Sequence, residues 1–339
     1  MPDASEIAME GATATPSQGD RPRLLVVIHT EEEFDWSAGF SRDNVGVSHV
    51  ASMGLVQDIF ERAGVVPTYV VDYPIASHDS SAAVFRGYAA SGRAIIGAHL
   101  HPWVSPPFEE EVSVFNSYPG NLPASLEEAK LRSLAGAIET SIGVAPKVYL
   151  AGRYGYGPNT AAILRKLGFE IDLSPVSTYS FTSDGGPDFR DCGCDPFWEG
   201  RPGELLRIPH SGGYIGFLAR QGRAGFDPTE SEMLKSLRIP GILWRCGALR
   251  HVRLTPEGYS LDDMKRLTRE IFRGGARVFH FSFHSPSVKP GLTPYVRTDE
   301  DLARFLATIR GYLDFFAGEM NGVFARPDDI RRLAAEERR

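Results

Sequence analysis

Two histidines separated by one residue, His99-Leu100-His101, stand at the end of a short apolar run. On an extended segment residues i and i+2 face the same side, so both rings can grip one metal ion. A second group of ligand-type residues, Glu31-Glu32-Glu33, follows directly on another apolar run and is enclosed by Phe34 and Trp36. Adjacent acids point to different sides, so one can bind a metal while its neighbour takes a proton from the metal's water. Two imidazoles and one carboxylate leave a position open for that water, as hydrolytic zinc requires. Arg153, beside Gly152 and Gly155, is expected to hold a carboxylate ionised, because a nearby positive charge lowers its pKa. His284, at the end of a late apolar run, is a candidate general acid to a leaving group. Taken singly, the acidic run reads as a solvated loop and each histidine as a core residue. Their coincidence carries the chemistry.

The elements that must position these residues alternate. Leu24 to Ile28 is continuously apolar, as in a parallel strand covered on both faces, and the strand is expected over Arg23 to Thr30. A helix is expected from Val45 to Ala63, a strand from Val65 to Val71, a helix near Ser81 to Ser91 and a strand from Ala94 to Leu100. Ser125 and Glu128 read as a capping box opening a helix that Gly143 closes. A strand over Lys147 to Ala151, a helix from Pro158 to Gly168 and a strand over Phe169 to Leu173 follow. Ser174 to Gly203 reads as loop, and Leu205–Pro209, Tyr214–Leu218 and Ile239–Trp244 are apolar runs of open type. Ser260 and Thr298 each open a helix, on either side of a strand over Arg277 to His284. Strand–helix alternation implies right-handed βαβ units and a parallel sheet, in which active residues gather past the carboxyl ends of the strands. His29 to Trp36, Gly97 to Trp103, Ala151 to Gly157, Ile171 to Pro175 and Phe281 to Pro286 are those ends.

The 339 residues carry 36 Lys plus Arg against 43 Asp plus Glu, a net charge of −7, with 42% hydrophobic residues. That profile is globular and offers no basic footprint for nucleic acid. No segment has the roughly 18 consecutive apolar residues of a membrane span. Residues 1–22 read as a polar, disordered lead without an apolar signal core. Three cysteines suit a reducing cytoplasm, and Cys192-Gly193-Cys194 lacks the second pair that a zinc site wants.

Taken in order, the five strand ends resemble the motifs of the polysaccharide deacetylase family (NodB homology, carbohydrate esterase family 4). The resemblance covers roughly Leu24 to Tyr312. It implies an α/β fold, a distorted (β/α)7 barrel in a single domain over residues 23–325, with 326–339 as a C-terminal helical tail. The family's Thr-Phe-Asp-Asp is similar to His29-Thr30-Glu31-Glu32, which implies Glu31 as catalytic base and Glu32 as metal ligand beside His99 and His101. Its Arg-Pro-Pro-Tyr-Gly is similar to Arg153-Tyr154-Gly155-Tyr156-Gly157, implying that Arg153 orients the base and the Tyr156 N–H holds the oxyanion. Asp172 corresponds to its tuning carboxylate and His284 to its acid. The glutamates and the tight His-x-His spacing depart from the family, and the acidic run leaves the register open to Glu33 or Asp35. The implied cofactor is Zn²⁺ or another divalent metal, and the implied partner is an acetylated sugar or glycan precursor. Trp36, Trp103, Tyr154 and Phe283 near the rim are either sugar platforms or wall packing. The alternatives are a hydrolase of amidohydrolase type and a degenerate deacetylase fold that only binds glycan.

Overall fold

The computed structural model describes residues 21–219 and 248–336; the apolar run Ile239–Trp244 and most of the N-terminal lead lie outside them. The strands are β1 (Arg23–Thr30), β2 (Thr68–Val71), β3 (Ile95–Leu100), β4 (Val148–Ala151), β5 (Ile171–Asp172), β6 (Tyr179–Ser180), β7 (Asp188–Phe189), β8 (Phe197–Glu199), β9 (Leu205–Arg207), β10 (Gly212–Ile215), β11 (Arg250–Arg253), β12 (Val278–His284) and β13 (Val323–Phe324). The helices are α1 (Gly54–Ala63), α2 (Tyr73–Ser77), α3 (Asp79–Ala90), α4 (Ala124–Ile142), α5 (Thr160–Lys166), α6 (Leu261–Arg273), α7 (Asp299–Gly318) and α8 (Pro327–Glu336). One curled sheet runs β12-β1-β2-β3-β4-β5-β9-β8, parallel throughout except for β8 against β9. The sheet and its outer helices form the expected distorted α/β barrel. Its open side is spanned by single hydrogen bonds, Leu254 N to Ser211 O and Ser282 N to Leu254 O.

Alternation along the strands sorts side chains into two layers. Leu24, Val26 and Ile28 join Tyr69, Val71, Ala98, Leu100 and Tyr149 in the large core beneath the helices. Leu25, Val27, Val148, Leu150, Leu206 and Val278 form a smaller core inside the barrel. Helix α8, expected as a tail, contributes Ile330 and Ala334 to that inner core. The inner face of β1 therefore runs Leu25, Val27, His29. Its neighbour β12 places His280, Ser282 and His284 opposite those three residues. The barrel interior is thus apolar near the start of the strands and histidine-rich at their carboxyl ends.

Several expectations shift. The Ser125/Glu128 capping box does not form, because Pro123 occupies the N-cap and starts α4 two residues early, and Glu128 pairs with Arg132 and Lys166 instead. The boxes at Ser260/Asp263 and Thr298/Asp301 do form. The first expected helix is a 3₁₀ turn, Ser48–Ser52, followed by α1. The loop expected over Ser174–Gly203 contains the β6–β7 pair and β8. From α4, buried Lys130 donates to Pro102 O at 2.9 Å and Ser105 O at 2.6 Å, pinning the loop after β3.

Gly152, just past β4, is required by a close approach: a Cβ there would lie 2.3 Å from Leu100 O and 2.6 Å from the His101 ring. Gly152→Ala is expected to destabilise the fold by about 2–3 kcal/mol through overpacking. Gly136→Ala, on an open and exposed part of α4, is expected to stabilise it by about 0.5–1 kcal/mol. Urea denaturation of the two variants checks the contrast; equal stabilities would contradict it.

Candidate metal centre and proton-transfer groups

The inner-face parity of β1 continues past its end, so Glu31 points into the barrel and Glu32 points away from it. Glu31 Oε2 lies 3.5 Å from both His99 Nε2 and His101 Nε2, and the two Nε2 atoms are 3.1 Å apart. All three side chains are buried. The tautomers follow from the other ring nitrogens. His99 Nδ1 donates to Leu150 O at 2.9 Å, and His101 Nδ1 donates to Glu32 Oε2 at 2.7 Å. Both Nε2 atoms therefore present lone pairs toward a carboxylate oxygen. Burial holds both imidazoles below the usual histidine range, and for His99 the neighbouring His101 adds to this. Burial pushes Glu31 up, but His284 and the histidine pair outweigh it and hold the carboxylate below its ordinary value. Two neutral imidazoles and an ionised carboxylate, with no hydrogen between them, are the donor set of a divalent cation. His101 would lose this geometry without Glu32, which grips its far side as second-shell carboxylates do for metal-bound histidines.

Glu32, expected as the ligand, has both oxygens occupied: Oε2 by His101 and Oε1 by Trp103 Nε1 at 2.7 Å. Its own N–H donates to Asp72 Oδ2 at 2.6 Å. Burial pushes Asp72 well above the usual carboxylate range, with neighbouring Glu32 adding to the rise, and burial lifts Glu32 to about 7. One proton resting on Asp72 leaves Glu32 charged and able to receive the His101 N–H. Glu31 thus faces both imidazole Nε2 atoms, while Glu32, the expected ligand, groups with Asp72 and His101 in a further trio of ligand-type atoms that could hold a metal ion. The other two candidates in the acidic run are turned elsewhere. Glu33 accepts from Ser48, from the His49 N–H and from the His49 ring, and exposed Asp35 accepts from Ser37.

His284 lies across the mouth from the pair. Its Nδ1 donates to Glu257 Oε2 at 2.7 Å and its backbone N–H to Glu257 Oε1 at 3.1 Å, while Ser287 Oγ donates to the same carboxylate. Burial lowers the His284 pKa, but Glu257 and Glu31 override it and raise the value to about 9. His29 packs edge-on against His284, His99 and His210, and Tyr154 closes over His29 and His210. Burial and these neighbouring rings hold His29 well below the usual range. His210 stacks on His280 with centroids 3.7 Å apart.

The remaining expected residues sit differently. Arg153 donates to Ser117 Oγ and Asp184 Oδ2, each at 2.7 Å, and covers the Tyr118 ring; its hydrogen bonds do not go to Glu31. Arg153 and Tyr154 both have positive φ, 53° and 61°, so the turn aims the guanidinium along the rim instead of into the barrel. The Tyr156 N–H, expected in an oxyanion hole, donates to Tyr154 O at 2.8 Å. Asp172, expected to tune the acid, accepts from Ser174 N and Oγ and from Arg207 Nε at 3.0 Å. The carboxylate that grips His284 is Glu257, which the sequence reading missed. It lies in a Thr-Pro-Glu-Gly turn with no local pattern to mark it. Of the four aromatics, Trp103 stacks on His101 inside the wall and Phe283 packs against Phe60 and Phe305 in the outer core. Trp36 alone reaches both His284 and the rim residue Tyr295. Cys192 is buried, and the Cys194 thiol donates to Ser177 Oγ and Gly212 O.

No family model and no curated protein matches the sequence. Solved structures do. A protein from Mycobacterium smegmatis assigned as a polysaccharide deacetylase matches with TM-score 0.54 at 16% identity, over 97% of this chain and 96% of that one. A Pseudomonas aeruginosa PAO1 protein with the same assignment matches with TM-score 0.54 at 15% identity, over 93% and 91%. PuuE allantoinase matches with TM-score 0.54 at 13% identity, over 98% and 97%. At these identities the likeness is one of fold: the chain has the polysaccharide deacetylase-type barrel.

Two substitutions separate a working group from a structural one. The folded pKa of His284 lies above the unfolded value near 6.5, so its pairing stabilises fully below pH ~6.5 and fades as pH rises through about 9. In the metal-free chain, Glu257→Gln is expected to remove that fading component, on the order of 2–3 kcal/mol, seen as a flatter stability difference between pH 6 and 9.5. An unchanged profile would contradict the pairing. Asp172→Ala removes one of the two carboxylates that hold buried Arg207, leaving Glu199, and is expected to cost about 3 kcal/mol in denaturation, without altering the pH profile assigned to His284.

Proposed function

We propose that this chain is a metal-dependent hydrolase that removes acetyl groups, N- or O-linked, from a carbohydrate or sugar precursor. The observation that carries the reading is the convergence of Glu31 Oε2, His99 Nε2 and His101 Nε2 on one point with no donor among them. These three residues would hold Zn²⁺ or another divalent cation. Such an ion polarises an acyl carbonyl and makes its bound water acidic.

The chain's own groups then divide the proton work. Glu31 Oε1 is buried, faces no partner and belongs to an ionised carboxylate, so it is the acceptor for the proton of the attacking water. Glu31 thereby keeps the expected role of base with one oxygen and faces the imidazoles with the other. His284, charged near neutral pH, gives a proton from Nε2 to the departing amine or alkoxide. Glu257 holds that ring by its Nδ1–H and supports the imidazolium, the part expected of Asp172. Glu32 and Asp72 keep His101 turned so that its Nε2 faces the centre. Trp36, beside His284 at the mouth, is placed to stack on a sugar ring. The three cysteines of the sequence, an odd number in a long chain, suit a reducing compartment, which favours a cytoplasmic, acetylated precursor as substrate. No helix among the described residues is long and apolar enough to cross a membrane. A second reading, hydrolysis of a cyclic amide C–N bond, is favoured by the likeness to allantoinase.

Wild-type protein is expected to carry about one Zn²⁺ per chain at neutral pH, and His101→Ala to lose it. Acetate release across a panel of acetylated sugars and nucleotide sugars, with a cyclic ureide included, reports the reaction. Glu31→Gln and His284→Gln are each expected to lower turnover about 10²–10⁴-fold. Wild-type protein without metal would sink the mechanism; metal without turnover of any acetylated sugar would favour a glycan-binding fold.

A further inference from the structure

Among the buried atoms without partners that the metal reading leaves are Glu31 Oε1 and His29 Nε2. The His29 ring packs edge-on against His284 as well as against His99. One ring nitrogen of His29, one of His284 and one oxygen of Glu31 lie within 4.8 Å of one another. The His29 and His284 ring centroids are 4.7 Å apart. His284 Nδ1 is committed to Glu257, so the nitrogen left to face inward is Nε2. This trio and the Glu31–His99–His101 trio share only Glu31. A carboxylate shared by two ligand sets is a common bridge of two-metal hydrolytic sites, and two imidazoles with one carboxylate are again a set that suits a divalent cation.

We infer that His29, Glu31 and His284 form a second, inhibitory divalent-cation site beside the first. The inference rests on the metal reading above, since Glu31 is common to both positions. An ion there displaces the His284 Nε2 proton to solvent, takes that nitrogen and engages Glu31, so the doubly loaded chain loses both proton-transfer groups. The site also gives His29 a use: a buried imidazole nitrogen with no hydrogen-bond partner is costly unless something else engages it.

The test uses the full chain stripped with chelator and titrated with Mn²⁺ at neutral pH, with bound metal counted by equilibrium dialysis and read by electron paramagnetic resonance. Wild type is expected to bind about two Mn²⁺ with a spin-coupled spectrum. His29→Gln is expected to bind about one, uncoupled, with at least tenfold weaker uptake of the second. One ion in both proteins overturns the inference and leaves the first site standing. No ion in either overturns both. Two ions in both places the second ion elsewhere and overturns the inference. Should His29→Gln fail to fold, an uncoupled wild-type spectrum at two equivalents overturns it alone. Acetate release is expected to fall at least tenfold between the first and second equivalents; unchanged or raised release overturns the inhibitory assignment.

Discussion

Three lone pairs aimed at one point, from Glu31, His99 and His101, are the interaction around which the upper half of the barrel is arranged. Without a positive charge among them they repel, and burial removes the water that would otherwise relieve the repulsion. Each nearby group enforces the convergence. Leu150 O and Glu32 fix the two imidazoles from behind, Ser285 Oγ accepts the Glu31 N–H, and Gly152 leaves room for the His101 ring. Lys130 ties down the loop that follows. The backing residues cannot release the three donors without leaving their own buried groups unpaired.

The same economy explains why so many acids and histidines sit in one small volume. Buried carboxylates are paired with N–H donors: Glu32 accepts from His101 and Trp103, Asp72 from the Glu32 and Ile75 N–H groups, and Glu257 is saturated by His284 and Ser287. Histidines not needed as ligands stay neutral: burial, aided by neighbouring rings, holds His210 well below its ordinary range, and burial takes His280 to about 3. His284 alone among the inner-face histidines is raised, because Glu257 on its Nδ1 and Glu31 beside it together override burial; His101 also has two carboxylate neighbours, but there burial prevails. One wall of the barrel thus favours metal binding and the other favours a proton.

The sequence was most legible where one local rule sufficed. His99 and His101 share a face because they are two residues apart, and β1 was evident from five consecutive apolar residues. The inward placement of Glu31 was also readable: Leu25, Val27, His29 and Glu31 share one parity, and a histidine within an apolar strand marks the polar interior. Asp172 and Glu257 were illegible. The partner of Asp172, Arg207, lies 35 residues on, and Glu257 reaches His284 across 27 residues from an irregular turn. Arg153 and the Tyr156 N–H were misplaced by a backbone turn with two positive φ values, which the side-chain types alone do not announce. Pro123 overrode the Ser125 capping box because it had already settled where α4 starts.

The barrel likeness speaks to the fold, and the converging donors are an independent observation on the site. The fold could persist with any side chains at the strand ends; the donor set could not arise from packing alone. Zinc K-edge X-ray absorption of the chain loaded with one equivalent of Zn²⁺ tests the central claim most directly. The account predicts a first shell with two imidazoles and one carboxylate, reduced to one imidazole in His101→Ala. A shell without imidazole, or one unchanged by that substitution, would contradict it.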